Sequence, residues 1–318
     1  LGCELCRLLA HKISFLLQGW VKDNHAFSQH QSIFRTTEAE DIYPAIHCQF
    51  PKAKIQGCTS ICQTGSVHME LSLVRLAPGA RTPAVLHAFE ESWFILDGSG
   101  AASVAHLSFD VHHGSFGVTP VGTPERKSAG PEGMTWLRMR APQAHPADSQ
   151  NGDYPASNWA PSPMRLTPDE TDPRSLWTGQ WSERDMGPRG PLSMPGYHGP
   201  NIKSIFIRML VDELLGAHQH THFMVEFGPR DPNAQFARAH YHPFEEAYHL
   251  LTGSARGILD GDEIDVSAGD TVWTGVGATH GFYTTSNEPL RWLEVQSPTP
   301  PSQDAFFFPH DWARLPLD

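Results

Sequence analysis

The stretch that decides the fold is Arg238-Ala-His-Tyr-His-Pro-Phe-Glu-Glu-Ala-Tyr-His-Leu-Leu-Thr-Gly253. His240 and His242 alternate, so on an extended strand both side chains point to the same face. Glu246 follows across a predicted tight turn and starts the next strand, directed back at the same spot. A third imidazole, His280, lies farther along the chain. Three imidazoles and a carboxylate are typical ligands of a divalent transition metal.

The spacing resembles the two sequence motifs of the cupin superfamily. The first motif runs His-x-His, three residues, Glu, six residues, Gly, and ends here at Gly253. The second runs Gly, five residues, Pro-x-Gly, two residues, His, three residues, Asn, and starts here at Gly269. Gly275 replaces the usual Pro and Thr284 the usual Asn, but neither position is a ligand. The resemblance therefore implies a metal site; the alternative is four polar residues that close a barrel mouth without an ion.

The first half of the chain repeats this pattern 155 residues earlier. His87-Ala-Phe-Glu-Glu91 corresponds to His242-Pro-Phe-Glu-Glu246, and Gly98 corresponds to Gly253. A spacing shared over so long a segment indicates an internal duplication. The chain therefore resembles a bicupin, in which two β-barrels of one fold follow each other.

The first copy has lost part of the ligand set. Val85 stands at the position of His240, and Glu125 stands at that of His280. One imidazole and two carboxylates remain, but an apolar residue replaces the missing ligand. We therefore expect a structural or substrate-lining role for this site rather than a metal.

The predicted fold is all-β, because many short apolar runs are broken by Gly and Pro. With the resemblance, it consists of two tandem cupin (double-stranded β-helix, jelly-roll) barrels with an N-terminal arm and a long wrapping linker. The predicted boundaries are residues 1–65 for the arm, 66–141 for the first barrel, 142–200 for the linker, 201–300 for the second barrel and 301–318 for the tail.

The local sequence predicts strands in the first barrel and an irregular linker after it. Strands in the first barrel are predicted at Ser92–Leu96, Ala101–Ala105 and Thr135–Met139, among others. The Pro- and Gly-rich linker has no sustained period of its own. We expect aromatic rings to hold it against the barrels; these are Tyr154, Trp159, Trp177 and Trp181.

Composition excludes some classes of partner. The 318 residues carry a net charge of -12 and have no Lys/Arg-rich run, which disfavours nucleic acid or an anionic membrane as a partner. All five cysteines lie between Cys3 and Cys62, and their odd number favours free thiols in a reducing cytoplasm. Cys3-x-x-Cys6 resembles half of a redox or zinc motif but lacks a second pair. Leu8 to Leu17 predicts an amphipathic helix, too interrupted by charge to span a membrane or to act as a signal peptide.

Strand alternation predicts which side chains surround the ion. Residues two or four positions from a ligand on the same strand share its face. This places Arg238, Tyr248, Leu250 and Phe282 around the site, with Trp273 just before the loop of the third imidazole. One cation and several rings suit a small carboxylate, an enol or an oxygenated aromatic. Alternatively, the rings are barrel core and the guanidinium pairs with a carboxylate.

A rival constellation precedes these motifs. In His218-Gln-His220-Thr-His222 three imidazoles share one face of an extended segment. No carboxylate or second segment completes a metal shell there, so a role at a strand edge or in support of other ligands is the competing interpretation.

The first functional hypothesis is a dioxygenase-type oxidoreductase with one divalent transition metal per chain, Fe or Mn favoured and Ni, Cu or Zn open. Arg238 would anchor a substrate oxygen and Tyr248 would exchange a proton; no organic cofactor is predicted. The second is a non-oxidative hydrolase or isomerase, since the layout resembles the ureidoglycine aminohydrolase and glyoxylate-induced group, although that group has another ligand order. The third is a ligand-binding cupin without enzymatic activity. The expected partners are a small-molecule substrate and further copies of the chain, as a dimer or higher homo-oligomer.

Overall fold

The computed structural model describes residues 31–34, 66–142, 153–168, 174–175, 177–186, 205–228 and 239–300. Within these ranges the chain is almost entirely β-structure, with one 3-10 turn at Glu183–Asp185. None of the helical structure described there is long and apolar enough to cross a membrane. The predicted amphipathic helix at Leu8 to Leu17, the cysteines and the aromatic tail after residue 300 lie outside the described residues.

The N-terminal half forms a sheet of nine strands. They are β2 (Glu70–Leu76), β3 (Val85–His87), β4 (Glu90–Val104), β5 (Leu107–His112), β6 (Ser115–Thr119), β7 (Pro124–Ala141), β8 (Asp153–Pro155), β9 (Arg174–Ser175) and β10 (Thr178–Gln180). The main path runs β8-β3-β7-β4-β6-β10-β9, with β2 paired to β7 and β5 paired to β4.

The C-terminal half forms two further sheets. Their strands are β11 (Ile205–Val211), β12 (Thr221–Phe227), β13 (Glu245–Thr252), β14 (Ser254–Leu259), β15 (Asp262–Ser267), β16 (Thr271–Thr274), β17 (His280–Thr284) and β18 (Leu290–Ser297). The larger sheet has the order β1-β16-β13-β18-β12-β11, in which β1 (Gln31–Phe34) is an edge strand from the N-terminal arm, and the smaller has the order β15-β14-β17.

The two halves repeat each other in strand register as well as in sequence. Corresponding residues face corresponding partners on the neighbouring strand. The equivalent pairs are Glu91–Thr119 with Glu246–Thr274, and Val85–Glu125 with His240–His280. Two barrels of one fold therefore stand in tandem, as the internal repeat predicts.

Three apolar clusters organise the interior. One fills the N-terminal barrel around Trp93 and Trp136, and another fills the C-terminal barrel around Phe282 and Trp292. The third lies between the barrels and takes residues from both, among them Phe94, Leu137, Trp273 and Leu293. Because this central cluster is shared, each barrel buries an outer face of its sheet against the other.

The shared core explains why several strands are apolar on both sides. In β13, Ala247 belongs to the central cluster and Tyr248 to the C-terminal barrel core. In β18, Leu293 and Trp292 divide in the same way. A sheet covered on both faces does not show the alternation of apolar and polar residues that marks a half-exposed strand.

Strand lengths in the first barrel differ from the prediction. Ser92–Leu96 and Ala101–Ala105 are parts of one strand, β4, and Thr135–Met139 is only part of β7. Gly98 and Gly100, which lie between the two predicted strands, do not end β4. The register shifts there and the strand bends instead. Gly98 has φ +77°, and a Cβ there would lie 2.3 Å from the Gly133 carbonyl oxygen. Only glycine permits this close approach of two strands.

Three of the four predicted linker rings are packed. Trp181 is buried in the central cluster and Trp177 packs against it. Nε1 of Trp159 donates a hydrogen bond to the Ala105 carbonyl at 2.7 Å. Tyr154 is 48% exposed, so the prediction that this ring anchors the linker is wrong. As an edge strand paired only to β3, its segment is held by backbone hydrogen bonds rather than by the ring.

Candidate metal centre

Four side chains of the C-terminal barrel converge on one point. Glu246 is the second residue of β13, His280 opens β17, and His240 and His242 precede β13. The backbones of His240 and His280 are joined by two hydrogen bonds of 2.9 and 2.8 Å, which bring separate segments together. All four residues are buried, and their ligand atoms lie within 4.8 Å of one another.

Hydrogen bonds from the backbone orient two of the imidazoles. Nδ1 of His242 lies 2.9 Å from the Phe244 carbonyl oxygen, and Nδ1 of His280 lies 2.9 Å from that of Ala278. A carbonyl only accepts, so Nδ1 carries the proton in each ring. Each Nε2 is then the ring atom directed at the cluster, and it can coordinate an ion once it carries no proton.

The spacing of the donor atoms fits a small divalent ion. Oε2 of Glu246 lies 2.9 Å from Nε2 of His242 and 3.0 Å from Nε2 of His280. Ligands at right angles around an ion with bonds of about 2.1 Å stand about 3.0 Å apart. The ring centroids of His240 and His280 are 4.5 Å apart, so the third imidazole borders the same space. Nitrogen donors with one carboxylate suit Mn, Fe, Ni, Cu or Zn better than Mg or Ca.

The environment of Glu246 keeps this carboxyl group ionised. Burial acts to raise its pKa, but the imidazoles of His242 and His280 outweigh burial and hold the pKa well below the usual value. Nε2 of Gln296 donates to Oε1 of Glu246 at 2.6 Å, and the Tyr248 hydroxyl donates to Oε2. The carboxylate is thus fixed from both sides.

A second acid lies next to this carboxylate. Gln296 also donates to Oε1 of Glu294 at 3.2 Å, and Nε1 of Trp292 donates to its Oε2 at 2.9 Å. Burial and the charge of Glu246 raise the pKa of Glu294 well above its usual value. Burial, followed by the charge of Glu246, likewise raises the pKa of Tyr248. Beside the Glu246 carboxylate the centre therefore has two groups, Glu294 and Tyr248, that hold their protons more tightly than usual.

A small, partly open cavity adjoins the cluster. Its polar lining comes from the centre itself: His240, Glu246, Tyr248, His280 and Glu294. The rest is apolar, namely Ile205, Ile207, Val225, Phe227, Phe282 and Trp292 with the backbone of Gly281. None of the described lining residues is Lys or Arg. A pocket of this kind receives an apolar body and offers polar groups at one end.

Comparison with known proteins identifies the fold. Residues 224–296 match the family model described as a cupin domain. A mutant of Bacillus subtilis oxalate decarboxylase aligns with 92% of this chain and 83% of its own, at a TM-score of 0.58 and 18% identity. The fold is that of a bicupin.

Two further structures of the Bacillus subtilis oxalate decarboxylase give the same result. The enzyme at pH 4.6 has a TM-score of 0.53 and 19% identity, over 81% of this chain and 75% of that one. A structure used to study its Mn(II) centres has a TM-score of 0.52 and 19% identity, over 81% and 76% of the two chains. No curated protein matches the bicupin chain in sequence. At this identity the likeness establishes the shared fold.

The predicted lining residues have different outcomes in the bicupin. Tyr248 and Phe282 line the cavity. Leu250 shares their face and lies in the barrel core, outside the cavity lining, so its contact with substrate stays a prediction. Arg238 lies outside the described residues, and its role stays a prediction.

The prediction that Trp273 lies around the site is wrong. This residue pairs with Ala247, so its side chain points to the opposite face of the sheet from Glu246. It packs in the central cluster, and its Nε1 donates to Glu245 at 3.3 Å. The residue of β16 directly opposite Glu246 is Thr274.

Sequence reasoning missed Glu294 and Gln296. Both are on β18, and the motifs do not indicate which face of that strand points inward. In the structure, Gln296 lies directly opposite Glu246 in the sheet, and Glu294 lies opposite Tyr248. Assigning that face requires the strand register, which motif spacing does not provide.

The rival cluster of three imidazoles is divided in the structure. His218 is exposed, whereas His220 and His222 are buried at the contact between the barrels. Nδ1 of His220 lies 2.7 Å from Oε1 of Glu90, and that of His222 lies 3.4 Å from the Ser92 hydroxyl. These imidazoles connect the two cupin barrels.

Proposed function

We propose that the C-terminal barrel is the active site of a metal-dependent bicupin enzyme. His240, His242, Glu246 and His280 would hold a single divalent transition metal, Mn(II) or Fe(II) in preference to Ni, Cu or Zn. The observation that carries this proposal is the convergence of four buried ligand atoms beside a cavity. The Mn(II) centres named for the fold neighbour are consistent with the choice of ion.

The cavity favours a small substrate with an oxygen-bearing head and an apolar body. A bound ion would supply a Lewis acid that attracts an anionic or enolic oxygen and polarises the groups attached to it. The rings of Phe227, Phe282 and Trp292 would pack against the rest of the molecule and keep water away. This lining supports an enol, a carboxylate with an apolar substituent or an oxygenated aromatic.

Tyr248 and Arg238 are assigned separate roles. The Tyr248 hydroxyl donates to Glu246 and lines the cavity, so it would hold the carboxylate in place and keep a proton beside the substrate. Arg238 would anchor a second oxygen of the substrate from the segment that precedes the ligands. A guanidinium there would extend the accepted class to dicarboxylates.

The first candidate reaction is a dioxygenase-type oxidation. An enol or oxygenated aromatic that fits this lining is electron-rich and is a chemical partner for O2. The test is O2 uptake by the Mn- or Fe-loaded protein with a panel of enols and catechol-like rings, with the metal-free protein as the control. Substrate turnover that proceeds at the same rate without O2 would rule this reaction out.

The second candidate is a non-oxidative reaction of a carboxylate, such as decarboxylation, isomerisation or hydrolysis of the ureidoglycine type. Glu294 favours it, because a carboxylic acid joined to Glu246 through Gln296 could return a proton to a substrate carbon. Turnover under anaerobic conditions, together with its loss in Glu294→Gln, would identify this class. Purified protein that carries no stoichiometric metal, and whose His242→Ala variant still binds ligand, would instead be a ligand-binding cupin.

Assembly and location stay predictions. We propose a homo-oligomer, dimeric or higher, in the cytoplasm. Size-exclusion chromatography with light scattering tests the first, and fractionation of the source cells tests the second.

A further inference from the structure

The position that corresponds to the metal centre in the N-terminal barrel contains a lysine. Nζ of Lys127 lies 3.0 Å from Oε1 of Glu91 and 2.9 and 2.8 Å from the two carboxylate oxygens of Glu125. Nε2 of His87 lies 3.1 Å from Oε1 of Glu125. The imidazole and the two carboxylates form the second group of potential metal ligands among the described residues, with ligand atoms within 4.8 Å. The ammonium group sits against both of its carboxylates.

The internal repeat explains how this lysine reaches the site. Lys127 corresponds to Phe282, which lines the cavity of the C-terminal barrel. Its stem passes the rings of Trp93 and Trp136, whose centroids are 5.7 and 5.8 Å from Nζ. In the same barrel Val85 has replaced an imidazole. One barrel has thus lost a metal ligand and gained a side-chain cation at the same site.

The charges of the cluster balance with the lysine in place. Burial lowers the pKa of His87, but Glu125, Glu91 and Asp153 outweigh it and raise the pKa to about 9, so the imidazole is cationic. Lys127, Arg140 and this imidazole then match the three carboxylates. A divalent ion that replaced both the ammonium and the imidazole proton would leave the total charge unchanged.

We propose that the Lys127 ammonium is the resident cation of the N-terminal cupin site and keeps metal out of a latent divalent-cation site formed by His87, Glu91 and Glu125. The ligand class of that latent site is a transition metal that accepts one nitrogen and several oxygen donors, such as Mn(II). The inference does not depend on the activity of the C-terminal barrel.

The wild-type protein provides a first test that needs no substitution. Crystals grown with excess Mn(II) should show no anomalous scattering peak between Glu91 and Glu125, whatever is found at the C-terminal centre. A peak there, with Lys127 turned away, would overturn the proposal.

Substitution of the lysine provides the second test. Lys127→Ala should bind an additional Mn(II) ion per chain compared with wild type, measured by elemental analysis, and its thermal midpoint should rise when Mn(II) is added. Lys127→Met removes the ammonium but keeps most of the volume, and it should also bind more Mn(II) than wild type. Additional Mn(II) in Lys127→Ala but not in Lys127→Met would assign the exclusion to the bulk of the side chain and overturn the proposal. Lys127→Ala combined with His87→Ala should lose the additional ion. A folded Lys127→Ala protein that binds no more Mn(II) than wild type contradicts the proposal.

A reciprocal substitution covers the case in which Lys127→Ala does not fold. Phe282→Lys places an ammonium at the corresponding position of the C-terminal barrel, where Glu246 can pair with it. Its metal content should fall well below that of wild type, whereas the uncharged Phe282→Leu should keep the wild-type content. Equal metal content in the lysine and leucine variants would count against an ammonium as a substitute for the ion.

Discussion

At the scale of single residues, Glu246 is the residue on which the proposed metal centre depends. It contacts two imidazoles, Gln296 and Tyr248, and every contact favours its charged form or fixes its orientation. Its neighbour Glu245 is also buried but points to the other side of the sheet, where it accepts hydrogen bonds from Ser66 and Trp273. Two adjacent carboxyl groups of one strand therefore have different tasks.

Substitution of Glu246 tests this division. Glu246→Gln keeps the shape and loses the charge, so metal affinity should fall by more than the roughly 10–100-fold expected when only a supporting partner is removed. The matched control, Glu245→Gln, should keep its metal and lose about 1–3 kcal/mol of unfolding free energy. Elemental analysis and urea unfolding measure the two effects. Retained metal in Glu246→Gln would exclude the carboxylate as a ligand.

The imidazole of His87 gives a prediction about pH. Its pKa is raised from 6.5 to about 9, so the folded protein binds this proton more tightly than the unfolded chain does. The resulting stability is fully present below the unfolded pKa of 6.5 and is lost as the pH rises through about 9. Its size is on the order of 3 kcal/mol at most.

The measurement compares the unfolding free energy of wild type and His87→Gln at about pH 6 and about pH 10. The difference between the two proteins should shrink at the higher pH. If it is the same at both values, the charged imidazole does not contribute as proposed.

At the scale of elements, strand alternation assigns each face of a strand to a separate task. On β13, Glu246 and Tyr248 serve the metal centre, whereas Ala247 serves the contact between the barrels. On β16, Thr274 and Trp273 divide in the same way. One position along a strand therefore decides whether a substitution affects binding or stability.

Trp273 tests the assignment of faces. Trp273→Ala should lower the unfolding free energy by about 3–5 kcal/mol, because it leaves a cavity in the central cluster and removes a hydrogen bond to Glu245. Metal content should stay at the wild-type level, since the ring faces away from the ligands. Trp273→Phe, which keeps most of the packing, is the control and should cost less. Loss of metal from a folded Trp273→Ala protein would show that this residue acts on the centre.

At the scale of the whole molecule, the central cluster and the buried carboxylate of Glu90 join the two barrels. Glu90, on β4 of the N-terminal sheet, accepts hydrogen bonds from the backbone N–H groups of His218 and Gln219 and pairs with the His220 imidazole. Burial acts to raise the pKa of Glu90, but His220 and these N–H groups hold it lower than usual. This carboxylate joins the N-terminal barrel to the segment that enters β12.

Glu90→Ala should therefore destabilise both barrels together. Removing one partner of a buried pair costs about 3–5 kcal/mol. Hydrogen exchange should become faster in β4 and in β13 by the same factor, and unfolding should remain a single transition. Ser92→Ala, which removes a weaker contact at the same interface, is the control. Unchanged protection of β13 in the Glu90 variant would mean that the barrels unfold independently.

Motif spacing predicted the tandem barrels and the four residues that the structure brings together, because ligands to one ion need particular side chains at particular separations along the chain. Alternation also placed Tyr248 and Phe282 at the cavity. It did not place Trp273, since a strand buried on both faces has no polar side to mark its orientation.

By itself, the sequence determined the all-β fold, its duplication and the residues available to hold an ion. Only the tertiary structure decided the faces of β16 and β18, the pairing of Glu294 with the centre and the presence of Lys127 where the first barrel lacks a ligand. These contacts join residues distant in the chain through strand register and the shape of the barrel interior. Local spacing along the chain specifies neither the strand register nor the shape of the barrel interior, because register is set by how whole sheets pack.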